Sequence, residues 1–196
     1  MRFGRDMLQY WTLDPDVTYL NHGTVGAVPR CVLAAQQAIR DEMERQPSRF
    51  MLRDLSGLVG LPRREPTRLR RAAAAVAEFL GARGDDLAFV DNATTGVNAV
   101  LRSLALEPGD EILLTDHSYG GVVRAAAFIA RERRAEVRTV RVPYPQFDRD
   151  RLVHEVSQAI GPRTRIAVLD HITSESALIF PLEKLAACCQ IGRAHV

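Results

Sequence analysis

Four polar clusters in this chain hold the residue types that do chemistry. Three of them follow short apolar runs: Asp91-Asn92-Ala93-Thr94-Thr95-Gly96, Asp116-His117-Ser118-Tyr119-Gly120-Gly121 and Asp170-His171-Ile172-Thr173-Ser174. The fourth is the loop Asn21-His22-Gly23-Thr24-Val25-Gly26, closed by Pro29. Thr94 and Thr95 open an apolar-periodic segment. They stand where the free N–H groups and the positive dipole end of a helix favour an anion such as phosphate. The same place suits a simple helix N-cap, and the residues alone leave both readings open. His117 and His171 each lie one residue beyond an Asp, where an imidazole serves a site or only the surface. Asp116, His117, Asp170 and His171 are metal-ligating types, but no i, i+4 or CxxC spacing joins them, so no metal is expected. The Gly-rich loop at Asn21 brings backbone near a ligand or merely turns the chain.

The elements that must position these clusters are legible in the hydrophobic pattern. Residues 87–90 (LAFV) form an apolar run of the kind a doubly covered strand needs, and residues 95–106 follow as a helix. Strands are expected at 111–115, 136–142 and 165–170. Helices are expected at 122–133, from an Asp148 N-cap to Ile160, and from Pro181 onward. Upstream, residues 31–45 read as an amphipathic helix, and RLRRAAAAVAEFL reads as a second, capped by Thr67 and stopped by Gly81. Alternating strands and helices of this length imply right-handed βαβ units and a mostly parallel sheet. In such sheets ligands bind at the carboxyl ends of the strands, which is where the three polar clusters fall.

Composition narrows the class. The chain has 196 residues, 46% of them apolar, enough for a core. Its 26 basic and 24 acidic residues leave a net charge of +2, so no nucleic-acid or membrane partner is expected. No apolar run approaches the ~20 residues of a membrane helix. Cys31, Cys188 and Cys189 make no disulfide framework; they are expected to be structural, in a reducing cytoplasm. Lys184 is the only lysine. The arginine excess and the abundant alanine read as a GC-rich bacterial coding bias.

Three stretches resemble the amino-terminal half of a class V aminotransferase-fold enzyme, in the isopenicillin-N-epimerase-like branch. They are YLNHGTVGAVP, DNATTGVNAVLRSLALEPGDEILLTDHSYGG and LDHITSESALIFPLEKL, a match running from about Tyr19 to Leu185. The resemblance implies the α/β, three-layer, mostly parallel sheet of the PLP-dependent transferase large domain (aspartate aminotransferase-like, fold type I), truncated. It implies pyridoxal 5'-phosphate as cofactor and an amino-acid substrate, with aldimine/carbanion chemistry of the epimerase, aminotransferase or C–S lyase type. It also implies a homodimer for the full-length protein. Position by position, Thr94 and Thr95 would hold the cofactor phosphate. His117 would lie over the pyridine ring as a stacking platform or proton relay, with Tyr119 as the other aromatic candidate. Ser174 would stand near the ring phenolate, with Thr173 and His171 beside it. Asn21, His22 and Gly23 would line the substrate entrance. The branch usually carries Pro-Thr where this chain has Glu175-Ser176.

The same resemblance places the Schiff-base lysine and the acid that pairs with the pyridinium nitrogen downstream of the last motif here. Lys184, in the first turn of a helix, reads as an ordinary solvated lysine. The chain itself is therefore expected to be an inactive fragment. Residues 1–30 are expected to form an N-terminal segment and entrance loop, and 31–190 a partial cofactor-binding large domain. The last six residues, 191–196, match one frame of a common sequencing adapter and are expected to be a non-native tail. Two other readings stand beside this one: a Rossmann-like nucleotide- or phosphate-binding module, and a non-catalytic pseudoenzyme. Against the first, no GxGxxG or GxxxxGK[ST] occurs at a strand–helix junction.

Overall fold

The computed structural model describes residues 4–58 and 65–191. The expected non-native tail thus lies outside the described residues except for Ile191. The chain divides into two compact units between Phe89 and Val90.

The first unit is helical. After a 3-10 turn at Arg5–Tyr10 come α1 (Arg30–Arg45) and a short α2 (Pro47–Arg49) that runs into a π-helical turn at Phe50–Leu55. Next come α3 (Arg68–Leu80) and a second 3-10 turn at Gly84–Asp86. Helix α1 forms as its periodicity predicts, yet it buries no residue, and Val32, Leu33 and Ile39 of its apolar stripe are exposed. Cys31 is exposed too, so it is no core residue. Helix α3 begins and ends as its sequence dictates. The Thr67 side chain accepts the Arg70 N–H at 3.3 Å, and Gly81 takes the left-handed conformation (φ 68°) that a side chain disfavours. Arg70 then pins the following turn, donating to the carbonyls of Gly84 and of Leu87, the latter at 3.1 Å. The turn packs tightly enough that a Cβ on Gly84 would meet the Ala74 Cα at 2.9 Å.

The second unit is a parallel α/β sandwich. Its elements are α4 (Ala93–Ser103), β1 (Glu111–Thr115), α5 (Gly120–Arg133), β2 (Glu136–Val140), α6 (Arg149–Ala159), β3 (Thr164–Ala167) and α7 (Leu182–Ile191). The strands pair in the order β2-β1-β3, all parallel. All five residues of β1 are buried. Alternation along a strand sends Ile112 and Leu114 to one face, where they pack with Leu101 of α4 and Ala126 and Ile129 of α5. Leu113 goes to the other face, against Leu152 and Val156 of α6, Leu185 of α7 and Phe180 just before α7. Helices on both faces make three layers, as expected. Asp148 caps α6, accepting the Arg151 N–H at 2.7 Å.

The ladders are shorter than the apolar runs, with β2 ending at Val140 and β3 at Ala167. The larger correction concerns residues 87–90. They are extended but join no ladder among the described strands, and Phe89 and Val90 are half exposed. An apolar run becomes a strand only when a neighbour takes its N–H and C=O groups, and the described ladders do not include these residues.

At the amino edge of the sheet two buried carboxylates tie the three strands. Asp110 accepts the Glu107 N–H and the Arg165 Nε–H, both at 2.8 Å. Glu111 accepts from Arg163 Nη2 at 3.1 Å and Thr164 Oγ1 at 3.2 Å, with Arg138 Nη1 at 3.5 Å. A register shift between Glu111 and Ile112, opposite Arg165, accompanies the turn of Arg165 back toward Asp110. The Glu107 amide, with Arg165 assisting, holds the Asp110 carboxyl below its ordinary value of 3.8, against the opposing pull of burial. A depressed folded-state value means this stabilisation is full above the unfolded value of 3.8. It fades as pH falls from there through the folded value. Denaturant titrations of the wild-type chain should lose stability as pH falls through that window. Asp110→Asn should cost about 1–3 kcal/mol at neutral pH and flatten the acid dependence.

Candidate functional site

The carboxyl ends of β1 and β3 and the loop after β2 converge on His117. Asp116 Oδ1 accepts the Val142 N–H at 2.8 Å, drawing the 141–144 loop over the end of β1. His117, its side chain 16% exposed, places Nε2 at 3.2 Å from the Val142 carbonyl oxygen and Nδ1 at 2.7 Å from Ser176 Oγ. Ser176 Oγ in turn lies 2.8 Å from Oγ1 of Thr173, which is 2% exposed and accepts the Leu178 N–H at 2.8 Å. The Tyr144 ring lies 5.8 Å from the His117 ring, tilted by 54°. Asp116, His117, Arg141, Tyr144 and Arg151 line an open depression of about 690 Å³.

The expected site residues fall into three groups. His117 and Thr173 come together, joined through Ser176, which the sequence marked only as a departure from the branch pattern. Tyr119 and the β3 loop meet through one bond, the Tyr119 N–H to Asp170 Oδ2 at 3.3 Å; the Tyr119 side chain is exposed. Ser174 and His171 are exposed and make no hydrogen bond among the described residues.

Thr94 and Thr95 form the second group, at the start of α4. The cap is Asn92, upstream of both threonines: its Oδ1 accepts the Thr95 N–H at 2.9 Å and lies 3.2 Å from Thr95 Oγ1. Thr95 has thus spent amide and hydroxyl on the cap. The amides of Ala93 and Thr94 and the Thr94 hydroxyl donate to nothing among the described residues. These three donors suit an anion. Among the described residues no hydrogen bond or ring contact links this turn to the His117 cluster.

Asn21, His22 and Gly23 belong to the first unit. Tyr19 donates to the Val25 carbonyl and packs edge-on against His22 at 4.8 Å, while His22 Nδ1 accepts the Ala27 N–H at 3.4 Å. The loop is therefore self-bonded. Lys184 is paired with Asp150 at 2.7 Å, and the ammonium holds that exposed carboxyl below its ordinary value. Among the described residues no three His, Cys, Asp or Glu side chains gather as metal ligands, and no helix is long and apolar enough to cross a membrane.

A family model, aminotransferase class-V, matches residues 18–196. The chain belongs to the class V aminotransferase family. Isopenicillin N epimerase of Amycolatopsis lactamdurans is 36% identical over 177 residues, spanning 89% of this chain and 42% of the epimerase. A probable chloroplastic L-cysteine desulfhydrase of Arabidopsis thaliana is 28% identical over 190 residues, spanning 90% of this chain and 38% of the relative. Among solved structures, a C-DES mutant with glycine covalently linked to its PLP cofactor matches with TM-score 0.72 at 25% identity, over 89% of this chain and 43% of that one. The complex of the cystine C–S lyase C-DES with cysteine persulfide gives TM-score 0.75 at 24% identity, over 98% and 46%. The fold is that of the PLP-dependent fold type I enzymes, and the chain spans less than half the length of these relatives.

The α4 cap tests this local geometry. Asn92→Ala should destabilise the chain by about 0.5–2 kcal/mol in denaturant unfolding, because the Thr95 amide loses its acceptor.

Proposed function

We propose that this chain is the phosphate-holding, ring-facing part of a pyridoxal-phosphate enzyme acting on an amino-acid substrate. The observation that carries the reading is the donor set at the start of α4: two amides and the Thr94 hydroxyl, with Thr95 committed to the cap. That set fits the phosphate of the cofactor, since each donor faces the anion-favouring end of an 11-residue helix. When bound, the cofactor supplies an electron sink for charge developed at a substrate Cα.

The chain's own residues supply binding and orientation. Ala93 and Thr94 hold the phosphate. His117 presents its ring at the end of β1, and Tyr119 is the second aromatic candidate. Ser174, Thr173 and His171 belong to the β3 loop that borders the ring. Asn21, His22 and Gly23 form the entrance loop. Lys184 is paired with Asp150 at the surface and is not assigned the covalent anchor in this reading. Epimerase, aminotransferase and C–S lyase outcomes all remain within this reading, which rests on relatives of more than one type. A homodimer in the full-length enzyme and a cytoplasmic setting complete it.

Pyridoxal-phosphate titration, followed by absorbance, tests the proposal. Thr94→Ala should weaken binding by roughly 10- to 100-fold, the loss of about one hydrogen bond to an anion. Thr95→Ala should weaken it less, and Lys184→Ala should leave it unchanged. Tight adenine-nucleotide binding abolished by Thr94→Ala would instead establish the nucleotide-module reading.

A further inference from the structure

We infer that Ser176, with Thr173 behind it, is a positioning residue that locks the His117 ring in one tautomer and leaves it only its face to offer a ligand. The hydrogen bonds form one chain whose direction is fixed at both ends. At one end the Val142 carbonyl can only accept, so the His117 nitrogen 3.2 Å away, Nε2, carries the proton. In the neutral ring Nδ1 is then an acceptor, and Ser176 donates to it across 2.7 Å. At the other end the Leu178 N–H can only donate, and it takes a lone pair of Thr173 Oγ1 at 2.8 Å. The Thr173 hydroxyl proton is left to donate to Ser176 Oγ, also at 2.8 Å. Every donor and acceptor along the line is satisfied, from Leu178 through Thr173, Ser176 and His117 to Val142. Burial makes the line hard to replace with water, since Thr173 is 2% exposed and the His117 side chain 16%.

The consequence separates two roles for His117. Both ring nitrogens are spent on the protein, so the ring cannot take or give a proton without breaking this chain. What remains is the ring face, which makes His117 a stacking platform and removes it as a proton relay. Asp116 does not compete for the edge, because its carboxylate stands 4.0 Å from Nε2 and is engaged by the Val142 amide. Arg141, Arg151 and Glu155 line the neighbouring depression and make no hydrogen bond to the ring among the described residues. The importance of the lock rests on the cofactor reading above; the lock itself does not.

Histidine-selective 15N labelling of the full chain tests it with no cofactor present, at a pH where the imidazoles are neutral. His117 is identified by the resonance lost in His117→Asn. The wild-type chain should show the proton on Nε2 and a hydrogen-bonded, unprotonated Nδ1. Ser176→Ala should shift the Nδ1 resonance, and Ser176→Thr should restore it. Thr173→Val, which does not touch His117, should shift Nδ1 in the wild-type background and leave it unmoved when Ser176 is already alanine. A proton on Nδ1 in the wild type overturns the inference, whatever the Ser176 and Thr173 variants do. Equal Thr173→Val shifts in both backgrounds also overturn it, because the effect would then be structural rather than carried by the hydroxyl line. Failure of the pyridoxal-phosphate titration with these spectra intact would remove the cofactor reading and leave the lock standing.

Discussion

Strand β1 must be dry on both faces, and the second unit is built to satisfy that. Its three central residues, Ile112, Leu113 and Leu114, are essentially inaccessible to water. Burying each contributes about 1.5–3 kcal/mol, which requires a helical layer on either side. Only a parallel strand between two others, with α4 and α5 on one face and α6 and α7 on the other, meets the condition. Remove the α4–α5 layer and Ile112 and Leu114 lose their cover; remove the α6–α7 layer and Leu113 does.

A central parallel strand also has two chemically distinct ends, and this chain uses them differently. The amino end carries carboxylates matched by guanidinium groups from all sides, which tie three strands at a common edge. The carboxyl end carries an imidazole, two hydroxyls and backbone carbonyls and amides, with the Asp116 and Asp170 carboxylates each accepting a backbone N–H rather than a guanidinium. Rigid charge at one end and an orderly polar cluster at the other divide the labour: one fixes the strands, and the other fixes side chains that the strands deliver.

Much of this was legible because the signals are local. Thr67, Gly81 and Asp148 announce helix ends through their own backbone chemistry, and the structure places them where that chemistry requires. The bounds of β1 follow from its apolar run between Asp110 and Asp116. Other features depend on residues far apart in sequence. Residues 87–90 have the right side chains for a strand, but pairing is a property of neighbours. Asn92 rather than Thr94 or Thr95 caps α4, a choice between adjacent polar residues that composition does not decide. Ser176 meets His117 across 59 positions, so it passed as a mere variation in a loop. The π-helical turn at Phe50–Leu55 carries no sequence mark among scattered arginines.

The near-total use of arginine has a consequence for the strand-edge cluster. Guanidinium groups as a class hold their proton far beyond the point where an ammonium releases it. At the Asp110–Arg165 pair the carboxylate is therefore the partner that acid neutralises. The fastening at the amino edge is one-sided, yielding to acid while remaining fully charged in alkali. A lysine-rich version of the same edge would instead slacken at both extremes.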